Sequence, residues 1–168
     1  MFAALIAIGA FIRIPIPVVP FTLQFLFTTL AGILLGPKRG AISVLLYLVI
    51  GLIGVPVFAE GGGLYYALKP SFGYLIGFAL GAYISGIFAE DNNITIKHLL
   101  FGNVLNLLVV YLCGMVYFYF IMNFYLGKAT SAWTVFLYGF ILAVPGDIVL
   151  CLIAAILGKR LLPVIKGL

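Results

Sequence analysis

Ser71-Phe-Gly-Tyr-Leu-Ile-Gly-Phe-Ala-Leu-Gly-Ala-Tyr-Ile-Ser-Gly-Ile-Phe-Ala89 contains no charged residue, and its length matches the roughly 20 residues of helix needed to cross the hydrocarbon core of a bilayer. Gly73, Gly77, Gly81 and Ser85 recur within it every four residues. A helix here therefore carries one face of small side chains, against which a second helix can approach closely. The rest of the chain is of the same kind. Of its 168 residues, 65% are hydrophobic and 8% charged, whereas soluble domains carry about 25% charged residues. So few charges cannot cover a water-facing surface, and lipid is the solvent that remains. In lipid the backbone must satisfy its own hydrogen bonds, as helices or as a closed barrel. The apolar runs are continuous rather than alternating, which excludes the barrel. The expected fold is an all-α integral membrane protein, a single domain over residues 1–168 with about six transmembrane helices.

Spans are expected at about residues 1–12, 21–36, 41–55, 71–89, 97–124 and 132–157. The first is shorter than a full crossing, so either residues upstream are missing or a short helix begins at the membrane face. It lacks a basic start and a cleavage site, so it does not read as a signal peptide. Between the first two spans, Arg13-Ile-Pro-Ile-Pro-Val-Val-Pro20 cannot continue a helix, because its prolines lack the amide donor. Residues 36–40 (Gly-Pro-Lys-Arg-Gly) read as a polar turn. Residues 56–70 combine two prolines with Gly61, Gly62 and Gly63 and read as a long irregular loop, a length that usually serves as a lid or binding element.

The net charge of +5 comes from basic residues scattered singly or in pairs, which sets membrane orientation rather than a nucleic-acid surface. With six spans, Lys38, Arg39, Lys97, Lys159, Arg160 and Lys166 share one side, and Arg13, Lys69 and Lys128 the other. The positive-inside rule then puts both termini in the cytoplasm. The Pro-rich turn and the Gly-rich loop face outward, on a multi-pass protein of the cell membrane.

Asp147 is the acidic residue well inside a span, directly after Pro145-Gly146. An ionisable group there costs ~2.5–3.5 kcal/mol and faces a cavity or a partner; the proline and glycine loosen the helix around it. It either contacts a ligand or forms a buried structural pair. Gln24 offers donors and an acceptor suited to a ureido or amide ligand, or it caps the second span. Phe58, Tyr65 and Tyr66 either close over an apolar ligand beside the glycines or form an interfacial belt. Asn103 and Asn106 are candidates for hydrogen bonds across helices. His98 has no second metal ligand spaced to assist it. Cys113 and Cys151 read as buried thiols, and Asn93-Ile-Thr95 as a chance glycosylation sequon. No Gly-Lys-Ser/Thr follows the glycines, so they are not a phosphate loop. No nucleophile–base pair or metal cluster stands in the spans, so neither an enzyme nor a cofactor is expected.

The motifs also fall in a known order. Pro20-Phe-Thr-Leu-Gln24 is followed by Ala31-Gly32, Leu35-Gly36, Tyr47-Leu, Gly51, Gly54 and Pro56-Val-Phe58, then by Pro70-Ser-Phe-Gly-Tyr-Leu-Ile-Gly-Phe78, Tyr111-Leu-Cys-Gly114 and Pro145-Gly-Asp147. Together they resemble the BioY family, the biotin-specific substrate-binding subunits (S components) of energy-coupling-factor (ECF) transporters. The resemblance covers most of the chain and is most specific over residues 56–78. It implies the six-helix S-component fold, with biotin bound near the outer face beneath the loop between helices three and four. It further implies partnership with a transmembrane coupling subunit and two cytoplasmic ATPases. Thr22, Gly62 and Tyr74 join Asp147, Gln24 and Phe58 as implied ligand contacts, and Ala3 and Ala7 as the implied contact with the coupling subunit. One departure stands out. The family usually has a Lys one turn after the sixth-helix Asp, where this chain has Cys151; residues four apart share a helix face, so Cys151 is expected in the same cavity as Asp147. Arg13 and Lys69 are then the available cations on the outer side, one of which would anchor the ligand carboxylate. The alternatives are an S component for another vitamin or a biotin-like ligand, or a small intramembrane enzyme.

Overall fold

The computed structural model describes residues 1–17, 19–90 and 94–166. Helix α1 (Phe2–Phe11) leads into a two-stranded antiparallel ribbon, β1 (Arg13–Ile14) and β2 (Phe21–Thr22), in which Arg13 pairs with Thr22 and Ile14 with Phe21. Helices α2 (Gln24–Leu35) and α3 (Pro37–Leu52) follow, then a 3-10 turn at Leu64–Leu68 inside the long loop. Helix α4 (Phe72–Ile87) and helix α5 (Ile96–Phe120) come next, the latter running on through a π turn at Ile121–Tyr125. Helix α6 (Ala132–Phe136) ends in a second π turn, Leu137–Ile141, and α7 (Val144–Lys166) completes the chain. Helices α6 and α7 are the two halves of the last crossing. The stretches Ile96–Tyr125 and Ala132–Ile165 are each long and apolar enough to cross a membrane.

Three expected boundaries change. Residues 36–40 are not a turn: α3 begins at Pro37, because proline at the first helical position gives up an amide that has no partner there anyway. The second span starts as β2, so its helix begins only at Gln24. The sixth span is interrupted before Val144 and then runs past Leu157 to Lys166, with Pro163 inside the helix. The sequon residue Asn93 lies outside the described residues.

Helix α4 is the centre of the bundle, and glycine is what lets its neighbours reach it. A side chain at Gly77 would come within 2.8 Å of the Val110 backbone on α5, and one at Gly81 would overlap the Asn106 amide. On the other flank, Gly32 of α2 lies against the Ala82 carbonyl. The stripe of small residues is thus an internal packing face. Asn106 uses both N–H groups at this junction, donating to Thr29 Oγ1 of α2 (2.9 Å) and Ser85 Oγ of α4 (3.0 Å). Asn103 donates to the Cys151 carbonyl of α7 at 3.0 Å. Such bonds between membrane helices average ~0.6 kcal/mol each.

The outward faces follow membrane logic. On α3, Ile42, Leu45, Leu46 and Val49 are exposed, while Gly40, Val44, Tyr47, Leu48 and Gly51 face inward. The glycines and the tyrosine hydroxyl of this helix are inside, and its outward face from Ile42 on is aliphatic, as lipid contact requires.

Candidate binding site

The ribbon, the loop of residues 56–70 and the break between α6 and α7 meet at one end of the bundle and enclose a cavity of about 50 Å³. Thr22 and Gln24 reach it from the ribbon and α2, Ala59 and Tyr66 from the loop, Ser71 from the N-cap of α4, Tyr74 and Phe78 from α4 itself, Tyr111 from α5, and Asp147 from α7.

Asp147 stands in the first turn of α7. The α6 half stops at the π turn, and a new helix starts with Pro145 in its first turn, where the missing amide costs nothing. A carboxylate here also meets the positive end of the new helix. Asp147 Oδ2 accepts from the Tyr111 hydroxyl at 2.6 Å. Its Oδ1 is buried and has no hydrogen-bond partner among the described residues, and the residue itself lines the cavity. Gly146 makes room for the ring of Phe21, which a side chain there would approach to 2.5 Å. Across the break, the Gly139 carbonyl accepts from Tyr74 at 2.7 Å, and the Tyr74 ring stands edge-on to Tyr111 with centroids 5.7 Å apart.

Gln24 supplies the opposite polarity. Its Oε1 accepts from Thr22 Oγ1 at 3.1 Å, and its Nε2 donates to the Tyr47 hydroxyl at 2.7 Å. One N–H of the amide remains for a ligand. Tyr66 adds an aromatic wall, and burial raises its phenol above the usual range, so it stays a neutral hydroxyl.

Of the residues expected to touch ligand, Thr22, Gln24, Tyr74 and Asp147 line the cavity, and five others do not. Phe58 is fully buried behind the lining, packed on Gly51 and against the rings of Tyr47 and Tyr66. Gly62 sits over the carbonyls of Val55 and Gly51 and shapes the loop. Cys151 is buried one turn below Asp147, its thiol 3.6 Å from the Asn103 carbonyl. The Arg13 guanidinium donates to the Ala59 carbonyl at 2.5 Å. Lys69 is bound to Glu60 at 2.8 Å and lies over the Tyr66 ring. Both cations therefore tie the loop down at the rim rather than entering the chamber. Ala3 and Ala7 are half-buried on α1 and pack against the core, with Ala4 and Ile8 exposed beside them.

Sequence reasoning missed Tyr111 as the partner of Asp147, and Tyr47 as the partner of Gln24. The available signal was position. Membrane tyrosines concentrate at the interfaces, whereas these two lie well inside α5 and α3.

Comparison with known proteins agrees with this architecture. The family model described as BioY family matches residues 1–167. A probable biotin transporter BioY of Lysinibacillus sphaericus is 46% identical over 99% of this chain and 86% of its own length. The biotin transporter BioY of Thermotoga maritima is 39% identical over 96% of this chain and 91% of its own. The crystal structure at 2.1 Å of the S-component for biotin from an ECF-type ABC transporter superposes with a TM-score of 0.80, at 30% identity, covering 95% of this chain and 86% of that one. The protein is thus an integral membrane protein with the S-component fold of a transporter subunit rather than an enzyme, and the chain belongs to the BioY family.

Proposed function

We propose that this chain captures biotin at the outer face of the cell membrane. It then delivers the vitamin in concert with an ATP-driven ECF module made of a transmembrane coupling subunit and two cytoplasmic ATPases. The observation that carries the reading is the pairing of an orphaned acceptor, Asp147 Oδ1, with the spare N–H of Gln24 in an otherwise aromatic and aliphatic chamber. A cyclic urea offers the matching set: N–H groups for the carboxylate and a carbonyl for the amide. Tyr74, Tyr66 and Phe78 supply flat apolar walls for the fused rings. Relatives along nearly the whole chain carry the name biotin transporter, which supports the same ligand. The ligand carboxylate falls to the rim, where Arg13 and Lys69 stand.

At about 50 Å³ the chamber holds one or two waters, well under the ~300–1,000 Å³ of ordinary ligand pockets. Entry therefore requires the ribbon or the loop of residues 56–70 to move outward. Lys38, Arg39, Lys97, Lys159 and Arg160 supply the positive-inside bias, which supports cytoplasmic termini and an outward-facing chamber. Helix α1, with Ala3 and Ala7, is the flank for the coupling subunit. The test is calorimetric titration of the purified protein with biotin, dethiobiotin and thiamine. Tight binding of thiamine with none of biotin overturns the ligand; biotin binding with the others weaker supports it.

A further inference from the structure

We infer that Tyr47, which does not line the chamber, is the positioning residue that orients the Gln24 amide and makes that orientation depend on closure of the outer loop; the inference rests on the ligand reading above. Tyr47 sits on the inner face of α3 and is 1% exposed. Its hydroxyl has one proton and makes two bonds. It donates to the Val57 carbonyl of the loop at 3.0 Å and accepts from Gln24 Nε2 at 2.7 Å.

The direction of the first bond fixes the second. A carbonyl can only accept, so with the loop in place the Tyr47 proton is committed to Val57, and only lone pairs face Gln24. Only the nitrogen end of the amide can then face Tyr47, which turns Oε1 toward the Thr22 hydroxyl, 3.1 Å away. The remaining N–H of Gln24 is held ready for a ligand carbonyl. When the Val57 carbonyl withdraws, the Tyr47 proton is released and can be offered to Gln24 instead. The amide then turns over at little cost and presents oxygen where it had presented N–H, repelling a ligand carbonyl.

The loop side of this relay is equally constrained. Phe58, next to Val57, is fully buried, and its ring occupies the space that a side chain at Gly51 would fill. The same ring stands edge-on to Tyr47 with centroids 5.4 Å apart. Phe58 and Gly61 exchange backbone hydrogen bonds of 2.9 and 3.3 Å that hold the turn shut. The Val57 carbonyl, the Tyr47 hydroxyl and the Gln24 amide thus move as one unit. The chamber reads a ligand carbonyl with full strength only when the loop is closed, and opening the loop weakens the grip on the ligand at the same moment.

A double-mutant cycle on the full chain tests this. Tyr47→Phe lowers biotin affinity about tenfold when Gln24 is present, since it leaves a buried donor without a partner. In the Gln24→Ala background the same change costs less than about twofold, because Tyr47 acts through that amide. Equal losses in both backgrounds, the outcome for a purely structural tyrosine, overturn the inference. Hydrogen exchange gives the second readout. By reciprocity, saturating biotin slows exchange at the Phe58 and Gly61 amides of the wild-type protein, and Tyr47→Phe abolishes most of that protection. Unchanged exchange in the wild type at saturating biotin also overturns it, whether or not the variant folds. A wild-type protein that binds no biotin at all rejects the ligand assignment instead, and the cycle is then run with the vitamin that does bind.

Discussion

Replacing Asp147 with leucine separates binding from folding. Leucine keeps the forked outline of aspartate with methyls in place of the oxygens, so the change deletes polarity, and the adjoining cavity takes the added volume. In the native protein Asp147, at 8% exposure, accepts from Tyr111 through Oδ2 and leaves Oδ1 without a partner among the described residues. A bound urea N–H would make a hydrogen bond to a charged acceptor, contributing ~1.5–3 kcal/mol. Facing leucine, the same N–H would be a buried donor without a partner, costing a further ~1–3 kcal/mol. Together these give about 2.5–6 kcal/mol, or a Kd raised roughly 10²- to 10⁴-fold at ~1.4 kcal/mol per decade. Stability responds differently. The Tyr111 hydroxyl loses its acceptor, at ~1–3 kcal/mol, but a buried carboxylate with no ion-pair partner among the described residues is also removed, a relief of comparable size. Calorimetric titration should therefore report a large loss of affinity, while the melting temperature in the same detergent holds or rises. Asp147→Asn keeps an oxygen that can face the ligand and loses only the charge, so about a tenfold loss is expected. If Asp147→Leu binds biotin within tenfold of the wild type, Asp147 does not hold the ligand, and the reasoning fails.

Further tests address the frame around the site. Gly81→Ala drives a methyl into the Asn106 amide and should destabilise by ~1–3 kcal/mol, read as a lower melting temperature, whereas Leu80→Ala on the exposed side of the same helix should change it little. Gly51→Ala displaces the Phe58 ring; the expected result is faster exchange of the loop amides and a higher dissociation rate for biotin. Arg13→Ala frees the Ala59 carbonyl and should speed ligand dissociation several-fold. Lys69→Ala breaks a half-exposed pair with Glu60 and a contact over the Tyr66 ring and should shift Kd less than about threefold. If neither of the last two alters biotin affinity, the rim cations do not hold its carboxylate.

The parts of this protein legible in its sequence are those governed by local, one-dimensional rules. Scarcity of charge revealed the solvent, and proline and glycine marked the ribbon and the loop. The spacing of Gly73, Gly77, Gly81 and Ser85 marked the face that α5 covers. Asp147 stood out because a carboxylate within a span must be explained. What escaped was direction in irregular backbone. Arg13 and Lys69 lie in segments with no periodicity, so nothing along the chain says that both turn toward loop carbonyls and Glu60 rather than inward. Cys151 was assigned to the cavity because residues four apart share a helix face. The helix restarts at Val144, however, so Asp147 lies at its open end and Cys151 a full turn deeper, under Asn103. Tyr47 and Tyr111 were hidden among ten tyrosines, since hydrogen-bond partners between helices leave no mark in sequence spacing.

The brevity of α2 has a consequence for which end of the vitamin goes in first. With 12 residues between the ribbon and Gly36, it rises roughly 18 Å at ~1.5 Å per residue, in a hydrocarbon layer ~30 Å thick. On the proposed orientation its lower end is marked by Lys38 and Arg39 at the start of α3, which puts Gln24 on the order of 12 Å beneath the opposite boundary. A molecule descending that far sheds its hydration before it meets either Gln24 or Asp147. A neutral urea pays modestly for this and recovers the cost in two hydrogen bonds. A carboxylate would arrive dehydrated beside another carboxylate, where even a lone charge costs ~2.5–3.5 kcal/mol. On the proposed ligand reading, the depth of one helix end thus works as an orientation filter, admitting the vitamin ring first and leaving its acid tail among the waters at the rim.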